Sequence, residues 1–340
     1  MTLDQKKLKR PARRLPMEGD EGCFSQTWFP ICLTSELGDG QVIGRDFLGG
    51  RVIVFRNNNG DASVLSAYCA HLGVDMSVGD VVAGTVRCPY HHFQYNSDGI
   101  CTKTGVGAPP PKGAALFKFP TVERYGVIFA FNGMEPLFDL PQLSVPDDQV
   151  VTQCWIEEMD FKVDPWIVMA QTPDFDHIAF LHEGRFQDAG RPEFTYTPYS
   201  AMYESEGVSM GERGDFMDLK SNLYGTNILN LEMTIQGTWT GSIAALTIRK
   251  PGLVKLFGIN GLHKGDGSPD SEEKIKQTFT YIKEQNRIVL YEDAEVFNNI
   301  SFVQGTLLPS DKELAQYFDY LRAFPRANPA ADFINGTGSP

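Results

Sequence analysis

The chain has 340 residues, 42% hydrophobic and 11% aromatic, a globular composition with room for two domains. Its net charge of −13 argues against nucleic acid as a partner, because phosphate binding needs a basic surface. It has no apolar run long enough to span a bilayer and no apolar signal core at its start. Two of its six cysteines have a better use as ligands and the other four are expected to be reduced, which makes a cytoplasmic location the expectation.

The chain opens on Lys6, Lys7, Lys9, Arg10, Arg13 and Arg14 against Asp4, a local charge of +5. Residues 1–25 therefore read as a basic arm, either loosely docked or lying on an acidic neighbouring subunit. Residues 26–135 read as an all-β domain. Short β-branched runs at 51–56, 64–67, 84–87 and 126–131 are bounded by Gly and Asn turns. Residues 139–148, with Pro141 and Pro146, read as a linker. The remainder, 136–340, reads as α+β: a helical stretch at 165–182 and antiparallel strands at 232–235, 242–248, 255–259 and 277–282. Helices at 287–299 and 312–324 complete it.

The densest chemistry lies at Cys69-x-His71 and Cys88-x-x-His91. Each half offers one Cys and one His, and each is followed by a Gly-containing loop. A Rieske [2Fe–2S] centre takes two thiolates on one iron and two imidazoles on the other. A structural zinc site uses the same ligand types and is the alternative. The stretch AYCAHLGVDMSVGDVVAGTVRCPYHHFQYNSDGIC resembles the Rieske segment of the Rieske-type non-heme iron oxygenases. That family commonly has Gly and Trp after the second ligand His, where this chain has His92 and Phe93. The ligand spacing still favours His91 over His92. Asp75 is similar to the ketosteroid hydroxylase branch, whereas His263, beside a turn, reads as a surface residue.

A second constellation is Asp174, His177 and His182. A mononuclear Fe(II) site needs two imidazoles, one carboxylate and open positions on one face. On a regular helix, His177 and His182 point roughly 140° apart. They can share a metal only if the helix ends or bulges between them, and Gly184 supplies a stop signal. Taken alone, the spacing is a weak signal and reads rather as two structural histidines. Against the resemblance, the three residues fit the family's Asp-x-x-His-x-x-x-x-His at every position. It implies that both His bind iron. It also implies that Asp174 lies between that iron and the Rieske centre of a neighbouring subunit. Gln171 stands near where the family often has Asn. Asp293 is the third ligand of choice, with Glu292 and Glu295 as alternatives, against the bland reading of a solvated acidic helix face.

The resemblance implies an N-terminal Rieske domain and a catalytic domain with a helix-grip, START-like fold. It further implies a single-subunit terminal oxygenase assembling as a head-to-tail homotrimer, closest to the ketosteroid hydroxylase and dicamba and vanillate demethylase branch. A ferredoxin or flavin reductase would bring electrons from NAD(P)H to the [2Fe–2S] cluster and on to Fe(II). There O2 would hydroxylate or oxidatively demethylate a hydrophobic or aromatic small molecule. A ring-dihydroxylating dioxygenase, a Rieske electron carrier and a START-like binding protein are the other readings. Phe180, Met202, Tyr224 and Phe297 are the expected pocket residues.

Overall fold

The computed structural model describes residues 14–183, 185–186, 191–209, 216–235, 237–303 and 307–335. The run Gly50–Arg56 is a strand whose Val52, Ile53, Val54 and Phe55 are all sealed from solvent, hence its continuous apolar character. It sits in a four-stranded sheet between Val42–Phe47 and Ala62–Ser66, with Lys118–Phe119 at the edge. A three-stranded sheet of Trp28–Leu33, Val127–Phe131 and Thr121–Arg124 completes this core. A third sheet, of Asp80–Val82, Thr85–Arg87, Gln94–Tyr95 and Cys101–Lys103, carries the Cys88 loop.

The second half is one antiparallel sheet. Its order runs from Val150–Phe161 through Leu253–His263, Thr238–Lys250, Ile228–Ile235, Phe216–Tyr224 and Ser200–Ser209 to Arg185–Phe186. Helices α1 (Pro165–Met169), α2 (Phe175–Phe180), α3 (Pro269–Phe297) and α4 (Lys312–Ala323) accompany it. One face of the sheet, with Ile228, Ile243, Ala245, Phe257 and Ile259, packs on Trp28, Phe129 and Phe131 of the first half. The α+β expectation therefore holds, with the two halves sharing a core.

Two expected elements change. Residues 277–282 are not a strand but the middle of α3. Ser268 caps that helix and Pro269 occupies its first turn. The hydroxyls of Thr278 and Thr280 donate to the carbonyls of Lys274 and Lys276, so the β-branched residues fit the helix. Phe279 and Ile282 meet Leu262 on the sheet, a helical spacing that six residues are too few to reveal. The expected helix at 165–182 is broken into α1 and α2, and Pro173 lies in the break.

Asn227 locks the two halves together. It is fully buried; its side-chain amide donates to the carbonyls of Trp28 and Leu246 and accepts from the Thr27 hydroxyl. Backbone N–H groups of Leu48 and Gly49 donate to the carbonyls of Ile248 and Arg249 beside it. The chain's end returns as well: Arg326–Ala327 pairs with Phe24–Ser25, and Asn132 ties both strands. From Leu15 onward the expected arm is packed into its own chain, with Leu15 and Glu18 buried; residues 1–13 lie outside the described residues. Asn227→Ala removes three buried hydrogen bonds and strands two carbonyls. It should lower stability by about 2–4 kcal/mol in urea unfolding. A loss below about 1 kcal/mol would mean that the seam does not depend on this side chain.

Candidate metal centres

The two Cys–His loops meet at the tip of the first half. Cys69 follows the strand Ala62–Ser66, and its loop closes through Gly73 N–H to the Cys69 carbonyl and Cys69 N–H to the Val74 carbonyl. Cys88 follows Thr85–Arg87, and its loop closes through His92 N–H to the Cys88 carbonyl and Cys88 N–H to the Phe93 carbonyl. His92 holds the left-handed conformation (φ 54°) that favours glycine, which explains why Gly suits this position. Cys69 and Cys88 are buried, whereas His71 and His91 are exposed with ring centroids 4.7 Å apart. Phe93 stacks on His71 with centroids 4.8 Å apart. The Tyr95 hydroxyl lies 3.2 Å from Cys69 Sγ and accepts from Ala70 N–H.

This arrangement fits a two-iron cluster, with sulfur ligands inside and nitrogen ligands toward solvent. Among the described residues, the one trio of metal-ligating atoms all within 4.8 Å of one another is His177, His182 and Asp293.

That second trio is built by the break after α1 and the turns of α3. Asp174 caps α2: its carboxylate accepts from His177 N–H and its backbone carbonyl lies 2.7 Å from His177 Nδ1. α2 ends at Phe180, so His182 leaves the helical spacing and turns back toward His177, ring centroids 5.0 Å apart. Asp293, 3% exposed, presents Oδ1 at 3.0 Å from His182 Nε2 and 3.9 Å from His177 Nε2. Glu292 lies 2.9 Å from His182 Nδ1, the outer nitrogen. Glu295 is exposed on another side of the helix. Of the three candidate carboxylates, the geometry gives Asp293 the inward position and Glu292 the part of holding the ring.

Asp174 thus meets the His177 ring through its backbone carbonyl, while its carboxylate accepts from the His177 backbone N–H. The expected pocket residues fare worse. Phe180 is 87% exposed, and Met202 and Tyr224 lie on the sheet face opposite α3. Phe297 is buried one turn beyond Asp293. Strand pairing fixes which alternate residues face the helices, and a one-residue change of register reverses them. A separate cleft of about 620 Å³, lined by Tyr196, Tyr199 and Tyr320 among others, contains none of the metal candidates.

Residues 27–120 match the Rieske [2Fe-2S] domain. Over 121 residues the chain is 35% identical to cholesterol 7-desaturase of Bombyx mori, covering 34% of this chain and 27% of that protein. Over 124 residues it is 29% identical to the oxygenase component of 3-ketosteroid-9-alpha-monooxygenase from Rhodococcus rhodochrous, covering 36% and 32%. The matches thus span about a third or less of these relatives. Among solved structures, NdmA of Pseudomonas putida CBB5 with caffeine is 20% identical. It superposes over 87% of this chain and 90% of its own with a TM-score of 0.70. Dicamba monooxygenase bound to dicamba, 18% identical, covers 88% and 97% with a TM-score of 0.62.

Burial opposes protonation of His182, but its hydrogen bonds to Asp293 and Glu292 prevail and raise its pKa above the ordinary 6.5. A metal must displace that proton. The pairing stabilises the metal-free fold below the ordinary value and is lost as pH rises through the raised one. Iron affinity at this trio should therefore fall with pH starting above 6.5. Glu292→Ala should weaken iron binding by about 10–100-fold, and Asp293→Ala should abolish it, both with the cluster spectrum intact. Iron analysis after dialysis at a series of pH values checks this; equal losses in the two variants would leave the ligand unassigned between them. Tyr95→Phe should keep the cluster but lower its reduction potential by tens of millivolts, at about 59 mV per tenfold for one electron. An unchanged voltammetric midpoint would remove Tyr95 from any tuning role.

Proposed function

We propose, for a chain that carries a Rieske domain in the fold of the Rieske oxygenase terminal components, that it is itself such a component. The observation that carries this is the second trio. A Rieske electron carrier has no use for His177, His182 and Asp293 facing one another in a separate domain. A binding protein that had lost the site would not keep Glu292 behind His182. When bound, the cluster passes single electrons and the mononuclear iron activates O2.

The chain's own residues supply the rest. Cys69 and Cys88 hold the buried side of the cluster, and His71 and His91 bring its other side to the surface, where a ferredoxin or flavin reductase fed by NAD(P)H can reach it. Asp174 fixes the His177 ring by its carbonyl and keeps a half-buried carboxylate near the surface of the second centre. A neighbouring subunit's exposed imidazoles meeting that carboxylate would give a homotrimer its motive. Four further cysteines, Cys23, Cys32, Cys101 and Cys154, are unpaired and support a reducing, cytoplasmic setting. The substrate is a small organic molecule, hydroxylated or demethylated rather than dihydroxylated. The relatives' names, a ketosteroid monooxygenase and a dicamba monooxygenase, support this choice.

Iron analysis separates the readings: an oxygenase holds one iron more than its cluster, a carrier does not. Asp174→Asn keeps a good helix cap and removes the charge. Both metal sites and reduction by the reductase should persist, while substrate oxidation falls by about 100-fold. In single turnover, with the mutant fully reduced before substrate and O2 are added, cluster reoxidation should slow to match. Reoxidation at the wild-type rate would take Asp174 off the route between the metals.

A further inference from the structure

A file of aromatic rings runs from the candidate iron ligand His177 to the separate cleft. It starts at the Asp174 carbonyl, 2.7 Å from His177 Nδ1. Phe175 is the next residue, and its ring centroid lies 5.5 Å from that of Tyr203 and 5.9 Å from that of Phe194. Phe194 in turn stands 4.8 Å from Tyr203 and 5.9 Å from Tyr196. Tyr196 meets Tyr320 at 5.8 Å, and Tyr320 meets Tyr317 at 5.9 Å. Separations of this size are those of rings in contact. Tyr196 and Tyr320, with Tyr199, line the cleft of about 620 Å³. Every step from the His177 ring to the cleft is therefore a hydrogen bond, a covalent bond or a ring contact.

Packing accounts for the rings but not for their hydroxyls. Tyr317 is sealed from solvent, and its hydroxyl has no partner among the described residues. Phenylalanine would fill the same space without the cost of a buried, unpaired hydroxyl. The buried Tyr320 hydroxyl donates to the Gly225 carbonyl at 2.9 Å, and the half-buried Tyr196 hydroxyl to the Glu313 carbonyl at 3.4 Å. Burial pushes the Tyr203 phenol up to about 12 and holds those of Tyr196, Tyr317 and Tyr320 above their ordinary value. All four are neutral phenols at neutral pH. Each can give up one electron only together with its proton.

Resting on the oxygenase reading above, we propose that Tyr203, Tyr196 and Tyr320 form a one-electron relay that discharges the second metal centre through the cleft when O2 is reduced there without oxidation of a substrate. Hydrogen peroxide, the two-electron product of O2, needs two more electrons and two protons to end as two waters. Tyr196 and Tyr320 supply the electrons, which move inward by way of Phe194, Tyr203 and Phe175. Each of the two loses its phenolic O–H proton to water in the cleft and becomes a neutral tyrosyl radical. Two protons taken from solvent at the metal centre complete the balance. Tyr203 passes its loss outward and ends as the phenol. An enediol of the ascorbate class, reaching the cleft, returns one electron and one proton to each radical. Without the relay, the oxidising equivalents fall on His177, His182 and their neighbours.

The test adds hydrogen peroxide to the full-length, iron-loaded protein, with the cluster oxidised and neither substrate nor reductase present. Samples frozen at intervals are read by electron paramagnetic resonance, and iron is measured in each. The unaltered protein should show a tyrosyl signal that ascorbate removes. Tyr196→Phe combined with Tyr320→Phe keeps the rings and should lower the signal at least tenfold. Oxidation of the peptide carrying His177 and His182, read by mass spectrometry, should then rise at least threefold. Phe194→Leu keeps every phenol and should lower the signal at least fivefold; it decides the matter if the double variant does not fold. Asp293→Ala, without iron at the trio, should show no signal. A loaded trio with no tyrosyl signal overturns the relay and leaves the oxygenase reading standing. So does a signal undiminished in either Phe194→Leu or the double variant, or one equally strong in Asp293→Ala. A trio that holds no iron in the unaltered protein overturns both.

Discussion

A buried carboxylate facing two imidazoles is the constraint on which the second half of this protein depends. Asp293 is almost wholly removed from water, and an isolated anion there would be untenable. Either a proton shared with His182 or a metal cation must answer it. Both answers need His177, His182 and Asp293 brought together from positions more than a hundred residues apart in the chain. The broken α1–α2 segment and the straight run of α3 are the means. The break lets Asp174 start α2 afresh, the end of α2 at Phe180 lets His182 turn back, and α3 presents Asp293 inward with Glu292 just beside it, behind the ring.

The same division of labour runs through the sheet. Its alternate residues on one side form the core shared with the Rieske domain, sealed by Asn227 and the returning C-terminal strand. The other side is left for the helices. The Cys–His loops follow an analogous logic: sulfurs inside, where Tyr95 can reach Cys69, and imidazoles outside, where another protein can reach them. In both halves the metal-facing atoms are set by groups one shell further out: the Asp174 carbonyl, Glu292 and Tyr95.

Much of this was legible in the residues. The Cys–His pairs name a Rieske centre almost by themselves, since the ligand types, spacing and glycine turns all agree. The Asp174–His177–His182 spacing was ambiguous as geometry and became informative only with the family pattern. Pro173 stands inside the expected helix at 165–182 and went unused, although a proline there argues against continuity. What could not be read was pairing. Residues 277–282 carry Thr, Phe, Thr, Tyr and Ile, a strand-like set over six positions, and only the longer window with Ser268 and Pro269 in front reveals a helix. Met202 and Tyr224 looked like pocket residues because nothing local states which side of a strand faces the helices.

α3 also acts as a ruler. One unbroken helix of 29 residues carries the Phe279 and Ile282 contacts, the Asn286 hydrogen bond to Asn260 and the Asp293 carboxylate. Each residue added or removed between Asn286 and Asp293 would rotate the carboxylate by about 100° and shift it by about 1.5 Å. Substitutions along that segment can be absorbed one side chain at a time, but a change of length cannot. Insertions and deletions in proteins descended from this one should therefore collect in the turn before Ser268 and beyond Phe297, leaving the interval between those two residues constant while the sequence inside it drifts.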